Sequence, residues 1–203
     1  MTAATATCPP ACSRPEQVSA EYRFCPCCAT PLTLTGAEED GGFKERLRCQ
    51  ACDFTHWNNP TPVLAAIVQV GERVLLARNA AWQNRMFGLI TGFMEAGETP
   101  EEGIRREIAE ETALEVTALQ LVGVHDFQRM NQIIITYHAQ ATGEIRLSPE
   151  LVEYKLLAPA QLKCWRAGTG LALADWLRGK GIEPVFMETL PSDPHQANAA
   201  KSL

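Results

Sequence analysis

The chain has 203 residues, of which 46% are hydrophobic and 21% charged, and its formal net charge is −6. This balance is that of a globular protein and excludes a largely disordered or fibrous chain. The acidic excess argues against a protein that works mainly by coating nucleic acid or an anionic membrane. We therefore expect no membrane partner, and a nucleic-acid partner is disfavoured.

Both ends of the chain are predicted to be flexible tails, over residues 1–20 and 188–203. The first tail has neither the basic start nor the apolar core of a secretory signal. The longest apolar run, Val63 to Val70, is too short to cross a membrane. The sequence therefore predicts a cytoplasmic protein.

Four of the eight cysteines form two C-x-x-C pairs, which are Cys25 with Cys28 and Cys49 with Cys52. Two such knuckles, each presenting two sulfurs, are typical of a structural zinc site. The polar, glycine-rich run from Glu38 to Gly42 fits the turn of a hairpin between them. We predict a small β zinc ribbon over residues 21–56; the alternatives are a disulfide framework or scattered buried thiols.

The remaining cysteines are interpreted as ordinary tail or core residues, and they are Cys8, Cys12, Cys27 and Cys164. Of these, Cys27 lies inside the first knuckle, where it could compete with Cys28 for the metal. After the ribbon, the prolines between His56 and Pro62 predict a turn-rich linker, since each disfavours helix at the residue before it.

Residues 57–187 are predicted to form a second domain of the α/β or α+β class. Apolar alternation predicts strands at 63–70, 73–78, 87–90, 115–122, 124–129, 132–141 and 153–157. The first two of these should form a hairpin around Gly71 and Glu72. Helices are predicted at 100–112, 159–165 and 171–178.

The helix at 100–112 has a clear start, with Thr99 as N-cap and Pro100 in the first helical position. Its buried stripe is predicted to contain Ile104 and Ile108, which lie four residues apart. The spacing therefore predicts that the opposite face of this helix carries the charged side chains.

Three carboxylates are predicted to share one face of this helix, those of Glu107, Glu110 and Glu111. Like charges at these spacings repel each other, so a helix built for stability alone would avoid them. Clustered oxygens are the ligands that Mg²⁺ and Mn²⁺ prefer. The alternative is a solvated acidic face, which is common for runs of charge.

The loop before the helix adds to this pattern. Glycines at Gly92 and Gly97 let backbone approach a ligand closely. We expect Arg106 to pair with Glu98, brought back by the loop, rather than with Glu107, because neighbours on a helix do not face each other.

This stretch resembles the Nudix box, Gly-x5-Glu-x7-Arg-Glu-U-x-Glu-Glu-x-Gly-U, where U is a bulky aliphatic residue. The matching positions are Gly92, Glu98, Arg106, Glu107, Ile108, Glu110, Glu111 and Leu114. The departure is Ala113, where the family has glycine in what we expect to be a left-handed helix cap. The resemblance implies a Nudix fold, with a mixed sheet and flanking helices, and a pyrophosphohydrolase.

A zinc ribbon directly before a Nudix domain resembles the NADH pyrophosphatase branch and its FAD and ADP-ribose relatives. That branch carries a Ser-Gln-Pro-Trp-Pro-Phe-Pro motif after the box, which is absent from residues 122–129 here. We therefore favour a FAD- or ADP-ribose-like substrate. NADH or NAD, or a dinucleotide cap on RNA, is the alternative.

The resemblance implies that Glu107, Glu110 and Glu111 hold Mg²⁺ or Mn²⁺, with the Thr91 carbonyl as a further ligand. It also implies a downstream carboxylate, for which Glu153 and Glu150 are the candidates. The general base is left open among Glu98, Glu150 and Glu153. The family further implies a homodimer.

Recognition of the base or flavin ring calls for an aromatic platform, and the candidates are Trp57, Trp82, Phe87, Phe93 and Phe127. The histidines His56, His125 and His138 are interpreted as structural. A rival hypothesis is a binding module in which the ribbon docks RNA or protein and the Nudix domain senses a nucleotide. The basic residues of the ribbon do not outnumber its acidic ones, which disfavours RNA.

Overall fold

A computed structural model describes residues 22–82 and 86–187 of the chain. The two predicted tails, with Cys8 and Cys12, lie outside these residues. The chain divides into two compact units, one ending at Asn59 and the other beginning at Pro60. Among the described residues, no helix combines the length and the apolar character needed to cross a membrane.

The first unit contains a three-stranded antiparallel sheet. Its strands are β1 (Leu32–Glu39), β2 (Gly42–Cys49) and β3 (Thr55–His56). The tight turn between β1 and β2 is formed by Asp40 and Gly41. The hairpin predicted between the two cysteine pairs is therefore confirmed, with its turn inside the predicted run.

The second unit contains a six-stranded mixed sheet with the order β7-β8-β4-β5-β9, and β6 pairs with β4. The strands are β4 (Thr61–Val70), β5 (Arg73–Asn79), β6 (Ile90–Phe93), β7 (Glu115–Phe127), β8 (Gln132–Thr142) and β9 (Leu151–Leu157). Strand β4 runs parallel to β8 and antiparallel to β5 and β6. Two helices accompany the sheet, α1 (Pro100–Thr112) and α2 (Thr169–Gly179).

Strand alternation divides the apolar side chains of this sheet between two layers. On one side Leu64 and Leu75 pack with Ile104 and Ile108 of α1. On the other side Ile67 and Val74 share a cluster with Leu173 and Trp176 of α2. Burying a large aliphatic side chain contributes about 1.5–3 kcal/mol, so each helix is held by its apolar stripe. This is the mixed sheet with flanking helices that was expected.

Two strand predictions need correction. The strand expected at 87–90 is displaced to β6, and before it Gly88 forms only an isolated bridge with Ala77. The strands expected at 115–122 and 124–129 are one strand, β7. Its pairing with β8 is irregular near Thr117 and Val122, which breaks the alternation that would have predicted a single strand.

The helix predicted at 159–165 is wrong. Residues Pro159–Gln161 form one 3-10 turn, in which the Ala158 N–H donates to the Gln161 side chain at 3.1 Å. A short strand follows, β10 (Lys163–Cys164), which pairs in parallel with β11 (Val185–Phe186). Around β10 the buried residues are Leu162, Cys164 and Trp165, and it is the pairing of Lys163 and Cys164 with β11 that defines the strand.

Candidate functional site

The helix that carries the glutamates begins and ends as predicted. Thr99 caps it, because its hydroxyl accepts from the Glu102 N–H at 3.2 Å and the Glu102 carboxylate accepts from the Thr99 N–H at 2.8 Å. The predicted stripe of Ile104 and Ile108 is fully buried. At the other end Ala113 has a φ of 59°, the left-handed cap that was expected. These contacts fix which face of α1 is turned outward.

Strand β6 lies directly against that face. A Cβ atom added to Gly92 would overlap the carboxylate of Glu107, so the glycine leaves room for this carboxylate in its observed position beside the strand. Strand β6 is itself held by β4, where Gly92 is opposite Leu64 and Thr91 is opposite Ala65. Thr91 thus directly precedes Gly92, the residue of β6 that lies against Glu107.

The predicted pair between Arg106 and Glu98 is present. The guanidinium donates from Nη2 to Glu98 Oε1 at 3.0 Å and from Nε to Oε2 at 3.1 Å. The backbone N–H of Glu95 donates to the same carboxylate at 2.7 Å, a contact that nothing in the sequence predicts because a backbone donor has no side-chain signature. Arg106 and this N–H hold the pKa of Glu98 below its ordinary value.

The expectation that Arg106 would not contact Glu107 is wrong. Arg106 Nη1 donates to Glu107 Oε1 at 2.8 Å and to Glu110 Oε2 at 3.1 Å. A long side chain folded along the helix can reach a neighbour that its Cβ direction does not favour. One guanidinium therefore contacts three carboxylates of the matched stretch.

Glu111 has a buried carboxylate that no described cation or hydrogen-bond donor stabilises in its ionised form. Its residue is only 8% exposed, and no described group donates a hydrogen bond to its carboxylate. Burial raises the pKa of Glu111 to about 7, with further contributions from the charges of Glu107, Glu150 and Glu110. Burial also raises the pKa of Glu107, although Arg106 opposes this shift. Clustered carboxylate oxygens that are buried and close to other negative charges are suitable ligands for a divalent cation.

Of the two downstream candidates, Glu150 is the one within electrostatic reach of the cluster. It lies just before β9, where its carbonyl accepts from the Ala80 N–H at 2.7 Å. Glu153 is opposite Arg78 in the sheet, and Arg78 Nε donates to its carboxylate at 3.3 Å. Glu150 therefore interacts electrostatically with Glu111, whereas Glu153 pairs with Arg78 of β5.

The four cysteines of the two C-x-x-C pairs converge in the first unit. Their sulfurs all lie within 4.8 Å of one another, and no other group of three or more acidic, histidine or cysteine ligands in the described chain is so close. Cys25 is 3.6 Å from Cys52 and Cys28 is 3.5 Å from Cys49, far longer than a disulfide bond of about 2.05 Å. Four sulfurs so arranged fit one tetrahedral ion. The exposed Cys27 lies outside this group.

The candidate aromatic platforms differ in exposure. Trp57, Trp82 and Phe93 are exposed, whereas Phe87 and Phe127 are partly buried. The three described histidines have side-chain neighbours, as expected of structural residues: His138 with Gln69, His125 with Asp175 and His56 stacked on Tyr22. Cys164 is fully buried in the core, as predicted.

Comparison with known proteins gives one family and two kinds of relative. A family model described as "NUDIX domain" matches residues 59–177. The similar curated proteins include "NAD-capped RNA hydrolase NudC" of Pseudomonas putida (strain W619) and of Pseudomonas entomophila (strain L48). Each is 33% identical over 134 residues, which is 66% of this chain and 46% of the relative.

Two solved structures share the fold. A NUDIX hydrolase from Nitrosomonas europaea aligns with a TM-score of 0.65 and 25% identity, covering 81% of this chain and 96% of that one. An ADP-ribose pyrophosphatase from Streptococcus suis 89-1591 aligns with a TM-score of 0.51 and 18% identity, over 64% of this chain and all of that one. The chain spans about half the length of the curated relatives that it matches.

Proposed function

The chain belongs to the NUDIX domain family, and from this membership we propose that it hydrolyses the pyrophosphate bond of a dinucleotide with the help of a divalent cation. The observation that carries the proposal is the buried carboxylate of Glu111, which lacks a described donor and is surrounded by the charges of Glu107, Glu110 and Glu150. A pyrophosphate, itself an anion, would be repelled by this face unless cations are bound there.

We propose that Glu107, Glu110 and Glu111 hold Mg²⁺ or Mn²⁺, together with the Thr91 carbonyl. The ion, when bound, neutralises phosphate charge and lowers the pKa of water. Arg106 has a different role, because its guanidinium fixes the loop and the helix to each other through Glu98 and Glu107. The family resemblance that motivates the ligand set is thus matched by the local electrostatics.

In the proposed reaction, water attacks one phosphorus of the bridge, the P–O bond to the other phosphate breaks, and a carboxylate accepts the proton of the water. Glu98 is a poor base, because Arg106 and the Glu95 N–H stabilise its ionised form. Glu153 is already paired with Arg78. We therefore assign the base to Glu150, and we regard Glu98 as a positioning residue that acts through Arg106.

The substrate that we propose is a FAD- or ADP-ribose-like dinucleotide, since residues 122–129 lack the motif of the NADH branch. One observation favours a second candidate: the similar curated proteins are named NAD-capped RNA hydrolases. NAD, NADH and an NAD-capped oligonucleotide therefore belong in the same test. The remaining alternative, a module that only senses a nucleotide, would show no turnover on any of them.

We propose that residues 21–56 form a zinc ribbon and that the hydrolase domain lies within residues 57–187, with Trp57, Asn58 and Asn59 belonging to the first compact unit. The convergence of the four sulfurs supports zinc, because thiolates are its preferred ligands in structural sites. Thiolate zinc sites are typical of reducing compartments, which supports a cytoplasmic location.

We also propose a homodimer, on the family resemblance and on one feature of the second unit. Strand β7 is at an edge of the six-stranded sheet, and it exposes Leu121 and Val124. An apolar edge strand is a surface that proteins usually cover. Light scattering on the intact chain and on a Val124→Glu variant tests this: a dimer that dissociates in the variant supports it, and a wild-type monomer contradicts it.

The function is tested by a turnover panel of FAD, ADP-ribose, NAD, NADH, nucleoside triphosphates and an NAD-capped oligonucleotide, each with Mg²⁺ and with Mn²⁺. Glu111→Gln should lower turnover by about 10²–10³-fold, the equivalent of several kcal/mol of transition-state stabilisation. Glu101→Gln, an exposed position on the same helix, is the matched control and should change turnover little. No turnover on any dinucleotide, or full turnover in Glu111→Gln, would contradict the proposal.

A further inference from the structure

The hairpin of the first unit segregates its charges by face. Because cross-strand partners lie on the same face of a sheet, β1 and β2 together place Lys44, Arg46 and Arg48 on one face. Glu38 and Glu45 lie on the opposite face. Counting basic and acidic residues along the sequence hides this division, since it sums the two faces. We call the face with the three cations the basic face.

On the basic face, a carboxylate and a guanidinium fix the orientation of one exposed indole. Glu39 accepts from Arg46 Nε at 2.8 Å and from Arg48 Nη2 at 2.7 Å. Arg46 in turn donates from Nη1 to the Trp57 carbonyl at 3.0 Å and lies over the Trp57 ring, 4.8 Å from its centre. The indole is held in place and still 54% exposed.

A cleft of about 320 Å³ opens beside this indole, lined by Glu39, Asp40, Gly41, Lys44 and Trp57. Its volume is at the lower end of the range for small-molecule sites. The lining combines a flat aromatic surface, one ammonium group that is not in a described ion pair, and the carboxylate of Asp40. A protein surface that needed only to be soluble would not require a pre-oriented indole between a cation and an acid.

We propose that this cleft binds one nucleotide of single-stranded RNA, with the base stacked on Trp57, the phosphate at Lys44 and base N–H groups donating to Asp40. Aromatic stacking accepts any base, since every base has a π-face, and a neighbouring cation attracts the backbone phosphate. The site is independent of the proposed hydrolysis, because it is built from residues of the first unit alone.

The chemistry of the lining favours a nucleotide over other anions and over a protein partner. An inorganic phosphate would use Lys44 but leave the indole and the Asp40 carboxylate without partners. A peptide would be expected to use apolar contacts, and these lie on the opposite face, where Phe43 is 65% exposed and Leu34 is 45% exposed. Only a ligand that is both flat and anionic uses the indole and the ammonium together.

The test is binding of a fluorescein-labelled oligoadenylate of six nucleotides, followed by anisotropy with no Mg²⁺ or Mn²⁺ added, so that turnover plays no part. Trp57→Ala should weaken binding by roughly 5- to 150-fold, the loss expected for one stacked base. Lys44→Ala should reduce the slope of log affinity against log salt by about 0.7, the value for one phosphate contact on a single strand.

Alternation along β2 supplies matched controls on the other face, Phe43→Ala for the aromatic and Glu45→Ala for the charge. Both should leave the affinity within twofold, and the zinc content of each variant verifies that the first unit is folded. AMP competing as well as the oligonucleotide would reassign the site to free mononucleotides. No binding by the wild type, or an equal loss in Trp57→Ala and Phe43→Ala, would overturn the proposal; so would displacement by a peptide but not by RNA.

Discussion

The chain has two candidate metal sites, the cluster of four cysteines and the face of α1 that carries Glu107, Glu110 and Glu111, which we call the glutamate face. Their ligands are arranged in different ways. The four sulfurs lie within 4.8 Å of one another, whereas the glutamates form no such group among the described residues. In the cysteine cluster each knuckle fixes two ligands through local backbone geometry, for example the Cys27 N–H donating to Cys25 Sγ at 3.4 Å. In the glutamate face, Arg106 lies between Glu107 and Glu110.

The two sites differ in the electrostatic cost of bringing their ligands together before a metal ion binds. A thiol keeps its proton to a higher pH than a carboxylic acid does, so four cysteines can converge with less repulsion than four glutamates. Carboxylates on one helix face repel each other as they ionise, and burial already raises the pKa of Glu107 and of Glu111, so full ionisation of this face requires a cation. We therefore expect the first site to act as a structural fixture and the second as a site whose cation comes and goes with substrate.

The largest expected effect is the loss of the first unit when its metal is lost. Cys49→Ser should abolish stoichiometric zinc and unfold residues 22–59, because apparent zinc affinities of about 10–16 kcal/mol are folding energy in such small sites. Hydrogen exchange should become fast in β1 and β2 but remain slow in β4 and β8. Cys27→Ser is the control, and equal protection in the two variants would argue against a structural metal.

A smaller effect concerns pH and the glutamate face. The folded-state pKa of Glu111 is raised to about 7 from an ordinary value of 4.5, so the unfolded chain ionises first as the pH rises. The stability of the metal-free protein should therefore fall between about pH 4.5 and pH 7 and change little above it. In the wild type the thermal midpoint should fall as the pH rises across this range. In Glu111→Gln this fall should be absent. Added Mn²⁺ should restore stability at high pH in the wild type only, and an identical pH profile in the two proteins would contradict this assignment.

Turnover should also fall when the Arg106 guanidinium, which connects the loop to α1, is removed. Arg106→Ala releases Glu98 and Glu107 together, so turnover should fall by about 10–100-fold, as for other groups that orient metal ligands. The neighbouring Arg105→Ala, on an exposed side chain, serves as control for loss of charge. Steady-state kinetics at saturating Mn²⁺ decide the point, and equal rates for the two variants would exclude a positioning role for Arg106.

The smallest effect concerns the departure from the family pattern at Ala113. Because its φ of 59° is left-handed, Ala113→Gly should raise the free energy of unfolding by about 1 kcal/mol. Urea denaturation at fixed pH measures this change. Turnover should be unaltered, since the residue contacts no proposed ligand; a loss of stability would mean that the cap is held by something other than backbone preference.

Features that depend on residues close together in the sequence could be predicted correctly. The bounds of α1 were predicted correctly, because Thr99, Pro100 and the stripe of Ile104 and Ile108 are short-range signals. The convergence of the cysteines was predicted for the same reason, since each knuckle is a local motif.

Predictions that depended on long-range contacts were weaker. Residues 159–165 look helical, yet Leu162 and Cys164 are buried in strand geometry beside β11, which lies some twenty residues further along the chain. The choice between Glu150 and Glu153 likewise depends on their distance from Glu111 and Arg78, two positions that are remote in sequence. The basic face was missed because summing charges along the sequence ignores strand alternation.

The central claim is that the buried carboxylates of α1 bind a divalent cation, and Mn²⁺ titration followed by electron paramagnetic resonance tests it most directly. Ions bound to the protein lose the signal of free Mn²⁺, so binding can be counted without any substrate. We expect the wild type to bind Mn²⁺. The affinity should be at least about tenfold weaker in Glu111→Gln and unchanged in Glu101→Gln. Equal Mn²⁺ affinity in all three proteins would contradict it.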